Sequence, residues 1–146
     1  MPDVAVADDT GTMIRTSDLL GDTLVLYFYP KDDTPGCTSE AKQFAEAYDR
    51  FKAAGAEIVG VSRDSSDSHE SFKEKYDIPY RLLADVDERV CNAFGTIVEK
   101  NMYGKKSLGV QRSTFLVDTT GTIVYVWPKV SVEGHAADVL ARIESR

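Results

Sequence analysis

The sequence predicts one α/β domain spanning residues 1–146, with a central mixed β-sheet flanked by helices. Three observations carry that expectation. β-rich apolar runs alternate with stretches of helical period along most of the chain. Toward the C-terminus two β-rich runs flank a Thr-Thr-Gly turn, the pattern of an antiparallel hairpin. The 146 residues, 42% hydrophobic and 28% charged, contain no repeat, low-complexity segment or linker.

The elements follow in order. "TLVLYFYP", Thr23 to Pro30, is a continuous apolar run closed by proline and reads as a buried strand. From Cys37 the period becomes helical. Phe44, Ala47, Tyr48 and Phe51 form one apolar face, and Gly55 ends that helix. "AEIVGVS" is a second buried strand. "DSSDSHESFKEKYDIP" opens on capping residues and stops before Pro79, which predicts a helix over Ser66 to Tyr76. "YRLLAD" is a short strand, and "DERVCNAFG" a short helix closed by Gly95. "RSTFLVD" and "TIVYVWP" pair across their turn. In the last helix, Ala136, Val139, Leu140 and Ile143 make the buried stripe. The sheet is then parallel inside, with an antiparallel hairpin added. Several α/β folds accommodate this order, and the thioredoxin-like one fits well.

Composition narrows the function. A net charge of −7 argues against nucleic-acid and anionic-membrane partners, which need clustered Lys and Arg. No apolar run approaches the roughly 18 residues of a membrane span. The N-terminus lacks the basic and apolar regions of a signal peptide, so a cytoplasmic location is expected. Two cysteines and two histidines, with no Cys-x-x-Cys, do not make a closed zinc site.

The chemistry concentrates in "PKDDTPGCT", residues 30–38. Thr34 can serve as N-cap, with Pro35 at the first helical position, where its missing N–H costs nothing. Gly36 allows close backbone approach, and Cys37 falls in the first turn. The unpaired amides and the positive end of the helix dipole there favour a negative charge, and the thiolate is the nucleophilic form of cysteine. The Thr34 hydroxyl can point at the same spot. Spacing alone leaves two readings open: a reactive thiol, or a small residue in a Pro-Gly turn.

"YFYPKDDTPGCTSEAKQF" resembles the active-site segment of the peroxiredoxins, above all the branch called peroxiredoxin Q or bacterioferritin comigratory protein. The family pattern Pro-x-x-x-Thr-x-x-Cys is met by Pro30, Thr34 and Cys37. "AGAEIVGVSRDSSDSHESFKEKY", "LLADVDERVCNAFG", "YGKKSLGVQRSTFLVDTTGTIV" and "GHAADVL" extend the similarity over nearly the whole chain. The resemblance implies a thioredoxin-like fold and a thiol-dependent peroxidase. Its substrates would be hydrogen peroxide and small organic hydroperoxides, and it needs no metal, haem or flavin. Cys37 would attack the peroxide and become a sulfenic acid. Thr34 would hold the peroxide oxygens, Pro30 would shield the thiolate, and Arg112, on a later strand, would hold the thiolate and polarise the O–O bond. The reductant would be thioredoxin, glutaredoxin or a low-molecular-weight thiol such as glutathione.

One departure stands out. Relatives carry a resolving cysteine five residues after the first, here Lys42, or in the next helix, at a position aligned with Lys73. Cys91 is the remaining thiol, and is either a buried, inert side chain or a resolving residue reached by local unfolding. In the first case the mechanism has one cysteine and an external reductant.

The other candidates read as structural. Phe28 and Tyr29 belong to the core, Glu40 steadies a first helical turn or, if it points at the thiol, accepts a hydrogen bond and orients the pocket, His69 faces solvent, His135 packs, and Asp85 and Asp87 cap a helix. Two rival functions are a redox sensor or relay that passes a disulfide from Cys37 to a partner, and a non-catalytic binding module. Retention of Pro30, Thr34, Cys37 and Arg112 together argues against the latter.

Overall fold

Two short strands, β1 (Ala5–Asp8) and β2 (Met13–Arg15), open the computed structural model, which describes residues 1–145 apart from the Met102 side chain. A 3-10 turn over Thr16–Leu19 leads into β3 (Thr23–Phe28). Helices α1 (Pro35–Glu46) and α2 (Tyr48–Ala53) precede β4 (Ala56–Ser62), and α3 (Ser66–Tyr76) precedes β5 (Arg81–Ala84). Next come α4 (Arg89–Ala93), the hairpin β6 (Ile97–Met102) and β7 (Lys105–Val110), the hairpin β8 (Ser113–Val117) and β9 (Ile123–Trp127), and α5 (His135–Glu144).

Seven strands form one sheet in the order β2-β1-β5-β4-β3-β8-β9, while β6 and β7 pair only with each other. The three central strands β3, β4 and β5 are parallel, and β8 and β1 flank them antiparallel. The mixed sheet is as the sequence predicts, with two strands, β1 and β2, added at the β5 edge.

Period-two alternation splits the core into two layers. From β3, Val25 and Tyr27 face α1, α3 and α5, and pack with Phe44, Phe72 and Leu140. Leu24, Leu26 and Phe28 face the other way and pack with Val90 and Cys91 of α4. Both faces of β3 are therefore buried, which explains its unbroken apolar run.

Helix α3 has the predicted bounds: the Ser65 hydroxyl accepts from the Ser68 amide at 3.2 Å, and Asp77 closes it in the left-handed region at φ 52°. The single helix expected from Cys37 to Gly55 is instead two. It breaks at Ala47, whose φ/ψ of −93°/0° leaves the helical well. The apolar face survives the break, with Phe44 and Phe51 both buried at a ring separation of 5.8 Å. The reorientation brings the Tyr48 hydroxyl to Glu57 on β4 at 2.9 Å.

Candidate active site

Helix α1 starts one turn after β3 ends, at the C-terminal edge of the parallel strands. Thr34 occupies the N-cap position with extended backbone, and Pro35 follows at the first helical position. The Thr34 carbonyl accepts the first helical bond from the Thr38 amide at 2.8 Å. Its hydroxyl makes no capping bond and donates to the Lys31 carbonyl at 2.8 Å. Cys37 sits in the first turn, 2% exposed.

Arg112 approaches from just before β8, on the face of the sheet that α1 covers. It lies one residue before β8, not within a strand as the resemblance implied. Its Nη2 donates to Cys37 Sγ at 3.4 Å, and its Nη1 to Glu40 Oε1 at 2.7 Å. Gly36 is what admits the guanidinium: a Cβ there would stand 3.2 Å from Arg112 Nη2. Burial pulls the Arg112 cation down, but Glu40 and Cys37 outweigh it and hold the group above its ordinary value.

Glu40 was expected chiefly to steady the helix, with orientation of the pocket as the second reading. It is instead buried, one turn below Cys37, and bound to Arg112. Burial pushes its carboxyl up to about 7, against the opposing pull of Arg112. Its Oε2 is buried without a hydrogen-bond partner among the described residues.

His69 corrects a second expectation: it is fully buried. Helix α3 turns it inward against β5, where Nε2 meets the Leu83 carbonyl at 2.8 Å and Nδ1 meets Asp32 Oδ2 at 2.7 Å. A carbonyl only accepts, so Nε2 is the donor to Leu83. Asp32 also accepts from the Tyr29 hydroxyl at 2.6 Å and Ser68 Oγ at 2.8 Å, and its amide donates to Asp64 at 2.9 Å. This network ties the 30–34 segment, with half-buried Pro30 and Thr34, to β4, α3 and β5. The signal missed in the sequence is Asp32, whose carboxylate meets His69 from 37 residues away.

The remaining candidates lie elsewhere. Cys91 is buried in the layer on the opposite face of the sheet from Cys37, and its thiol is pushed well up by burial and by Asp85. Asp85 caps α4 as expected, accepting from the Val90 amide at 3.0 Å and the Cys91 amide at 2.7 Å. Lys42 is exposed, and Lys73 pairs with Asp9 at 3.2 Å. His135 packs between Phe44 and Trp127 and bonds Thr114 at 2.8 Å. Among the described residues no cluster of three or more His, Cys, Asp and Glu could hold a metal ion. No helix among them is long and apolar enough to cross a membrane.

A thiol at a helix N-terminus, faced by a guanidinium on a thioredoxin-like fold, defines a class of thiol enzyme. Residues 1–126 match the AhpC/TSA family, and the chain belongs to it. The more similar relatives are of the peroxiredoxin Q or bacterioferritin comigratory branch, and the activity is that of a thiol-dependent peroxidase. A putative peroxiredoxin bcp of Coxiella burnetii is 48% identical over 97% of this chain and 94% of its own. The solved structure of Xanthomonas campestris peroxiredoxin Q superposes with a TM-score of 0.93 at 47% identity, over 98% of this chain and 90% of its own. Another is of the X. campestris bacterioferritin comigratory protein, studied for its alkyl peroxide reduction through trapped intermediate and ligand complexes. It superposes at 0.92 with 46% identity, over 97% of this chain and 90% of its own.

Proposed function

We propose that Cys37 is the peroxidatic nucleophile of this peroxidase, with Thr34, Arg112 and Pro30 forming its pocket and residues 1–146 acting as one unit. The Arg112 Nη2 to Cys37 Sγ bond of 3.4 Å carries the reading, because it sets a fixed positive charge on a first-turn thiol. The Cys37 sulfur attacks the terminal peroxide oxygen. The S–O bond forms as the O–O bond breaks, and the departing oxygen takes a proton to leave as water or alcohol. Negative charge passes from sulfur to that oxygen, within reach of Arg112. The Thr34 hydroxyl proton is committed to the Lys31 carbonyl, so its oxygen accepts from the peroxide O–H. Pro30 has no N–H and walls the pocket without offering a competing donor. Hydrogen peroxide and small organic hydroperoxides fit a thiol this deeply set. The alkyl peroxide reduction of the X. campestris relative supports that range.

The sulfenic acid is then reduced by an external thiol. The thiol sulfur bonds to Cys37 Sγ, the S–O bond breaks, and hydroxide leaves as water with the thiol proton. A second thiol releases the disulfide. Placement of Cys37 and Cys91 in separate core layers supports a one-cysteine cycle served by thioredoxin, glutaredoxin or a low-molecular-weight thiol. Two free cysteines suit a reducing compartment, and the cytoplasm is proposed on that ground.

Intact mass after one equivalent of hydrogen peroxide, with a sulfenic-acid trap present, tests the scheme on wild type and Cys91→Ser. A trapped sulfenic acid on Cys37 in both is expected. Loss of two hydrogens in wild type alone would mean a Cys37–Cys91 disulfide. Cys37→Ser is expected to abolish turnover, and peroxidase activity surviving it would end the reading.

A further inference from the structure

Asp64 lies just past the end of β4, half-buried. Its Oδ2 accepts from the Asp32 amide at 2.9 Å and from the Ser62 hydroxyl at 2.6 Å. The Asp64 amide donates back to Ser62 Oγ at 3.2 Å, so the last residue of β4 holds that carboxylate oxygen in place.

The Asp32 amide and the Lys31 carbonyl belong to one peptide unit. That unit is planar and trans, so its N–H and C=O point in opposite directions. The N–H is turned toward Asp64, and the C=O, turned away, accepts from the Thr34 hydroxyl at 2.8 Å. The Asp32 side chain is held separately, by Tyr29 at 2.6 Å, His69 at 2.7 Å and Ser68 at 2.8 Å. Those bonds fix where residue 32 sits. They do not choose the orientation of the peptide plane before it, because a flip turns ψ of Lys31 and φ of Asp32 and leaves the side chains near their places. Asp64 makes that choice. A flipped plane would set the Lys31 carbonyl against the Asp64 carboxylate, two acceptors with no proton between them. It would also aim the Asp32 N–H at Thr34 Oγ1, which would then accept from the backbone and turn its own proton outward.

We propose that Asp64 is a positioning residue for the peroxidase reaction. Through the Lys31–Asp32 peptide it commits the Thr34 proton to Lys31, and so keeps the Thr34 oxygen as the acceptor for the hydroperoxide O–H. A carboxylate suits the task, because it only accepts and its bond to an amide is charge-assisted. The proposal rests on the reading of Cys37 and Thr34 as the peroxide pocket.

The test is a double-mutant cycle on the oxidation of Cys37 by hydrogen peroxide, followed by rapid mixing. Asp64→Ala is expected to slow oxidation about tenfold when Thr34 is present, and by less than about twofold in a Thr34→Val chain, where no hydroxyl remains to orient. Equal losses in the two backgrounds overturn the proposal. Alkylation of Cys37 by iodoacetamide, in a Cys91→Ser chain, brings no hydroperoxide O–H and is expected to keep its rate in Asp64→Ala. A parallel loss there would place the effect on the thiol and overturn the proposal as well. Asp64→Asn keeps an oxygen for the Asp32 amide and is expected to recover most of the peroxide rate. A rate as low as that of Thr34→Val would overturn the proposal even where Asp64→Ala does not fold. Thr34→Val oxidised as fast as wild type would instead defeat the reading of Thr34 on which the proposal rests.

Discussion

Arg112 divides its guanidinium between two side chains, and that division fixes where charge can develop. One terminal nitrogen holds Glu40 and the other reaches Cys37. A lysine offers one point charge and cannot span both. Arg112→Ala is therefore expected to lower the rate of Cys37 oxidation by hydrogen peroxide on the order of 10²–10³-fold. Arg112→Lys recovers only part of it. Because Arg112→Ala strands Glu40 as an uncompensated buried acid, Glu40→Gln in the same chain keeps the fold intact for the measurement. A near-normal rate in rapid mixing would mean that another cation serves the thiol. Thr34, Pro35, Gly36 and Cys37 were legible because caps, prolines and glycines act on their own backbone. Glu40 and His69 were not: their partners Arg112 and Asp32 lie 72 and 37 residues away, and no local pattern says which polar side chain a helix turns inward.

The short helix α4 depends on a single side chain. Both carboxylate oxygens of Asp85, a residue that is itself buried, serve amides at the helix start. Asp85→Ala leaves those amides unsatisfied and is expected to cost about 2–4 kcal/mol of unfolding free energy. It also releases the helix that buries Cys91. In wild type, burial and the Asp85 carboxylate keep that thiol protonated. Cys91 should resist an aromatic disulfide reagent in the native wild type and react in Asp85→Ala, assayed in a Cys37→Ser background. Equal, rapid labelling in both would show that α4 opens without help, and would revive Cys91 as a resolving thiol. Elements with local signals were readable here: α3 from its caps, α4 from Asp85 and Gly95, β8 and β9 from their turn. The hairpin β6–β7 was not, since "IVEKNM" and "KKSLGV" lack a clean alternation and the pair stands apart from the main sheet. β1 and β2, at four and three residues, are too short to show a period. The break at Ala47 leaves no mark because the apolar face continues through it.

At the scale of the molecule, Arg112 links the sheet to two titratable groups in the helical layer, and their effects on stability oppose each other. Glu40 on α1 has a carboxyl raised from 4.5 to about 7, by burial first. Its folded value lies above its unfolded one, so its contribution is full below 4.5 and lost as pH rises through about 7. His135 on α5 is lowered from 6.5 to about 4, by burial first, with Asp138 opposing and Arg112 adding to the fall. Its contribution is present above 6.5 and lost as pH falls through about 4. Between those limits the two slopes have opposite sign and offset each other in wild type, so only variants separate them. Urea unfolding of wild type against Glu40→Gln should show the wild-type advantage shrinking from about pH 5 to about pH 8, by on the order of 2–3 kcal/mol. Against His135→Asn the wild-type advantage should instead shrink as pH falls from about 7 to about 4. Wild-type and Glu40→Gln profiles that stay parallel would mean that the Arg112 ion pair keeps Glu40 ionised across the range. The acid would then serve only to fix the guanidinium, and the pH dependence of peroxide turnover would have to come from Cys37 itself.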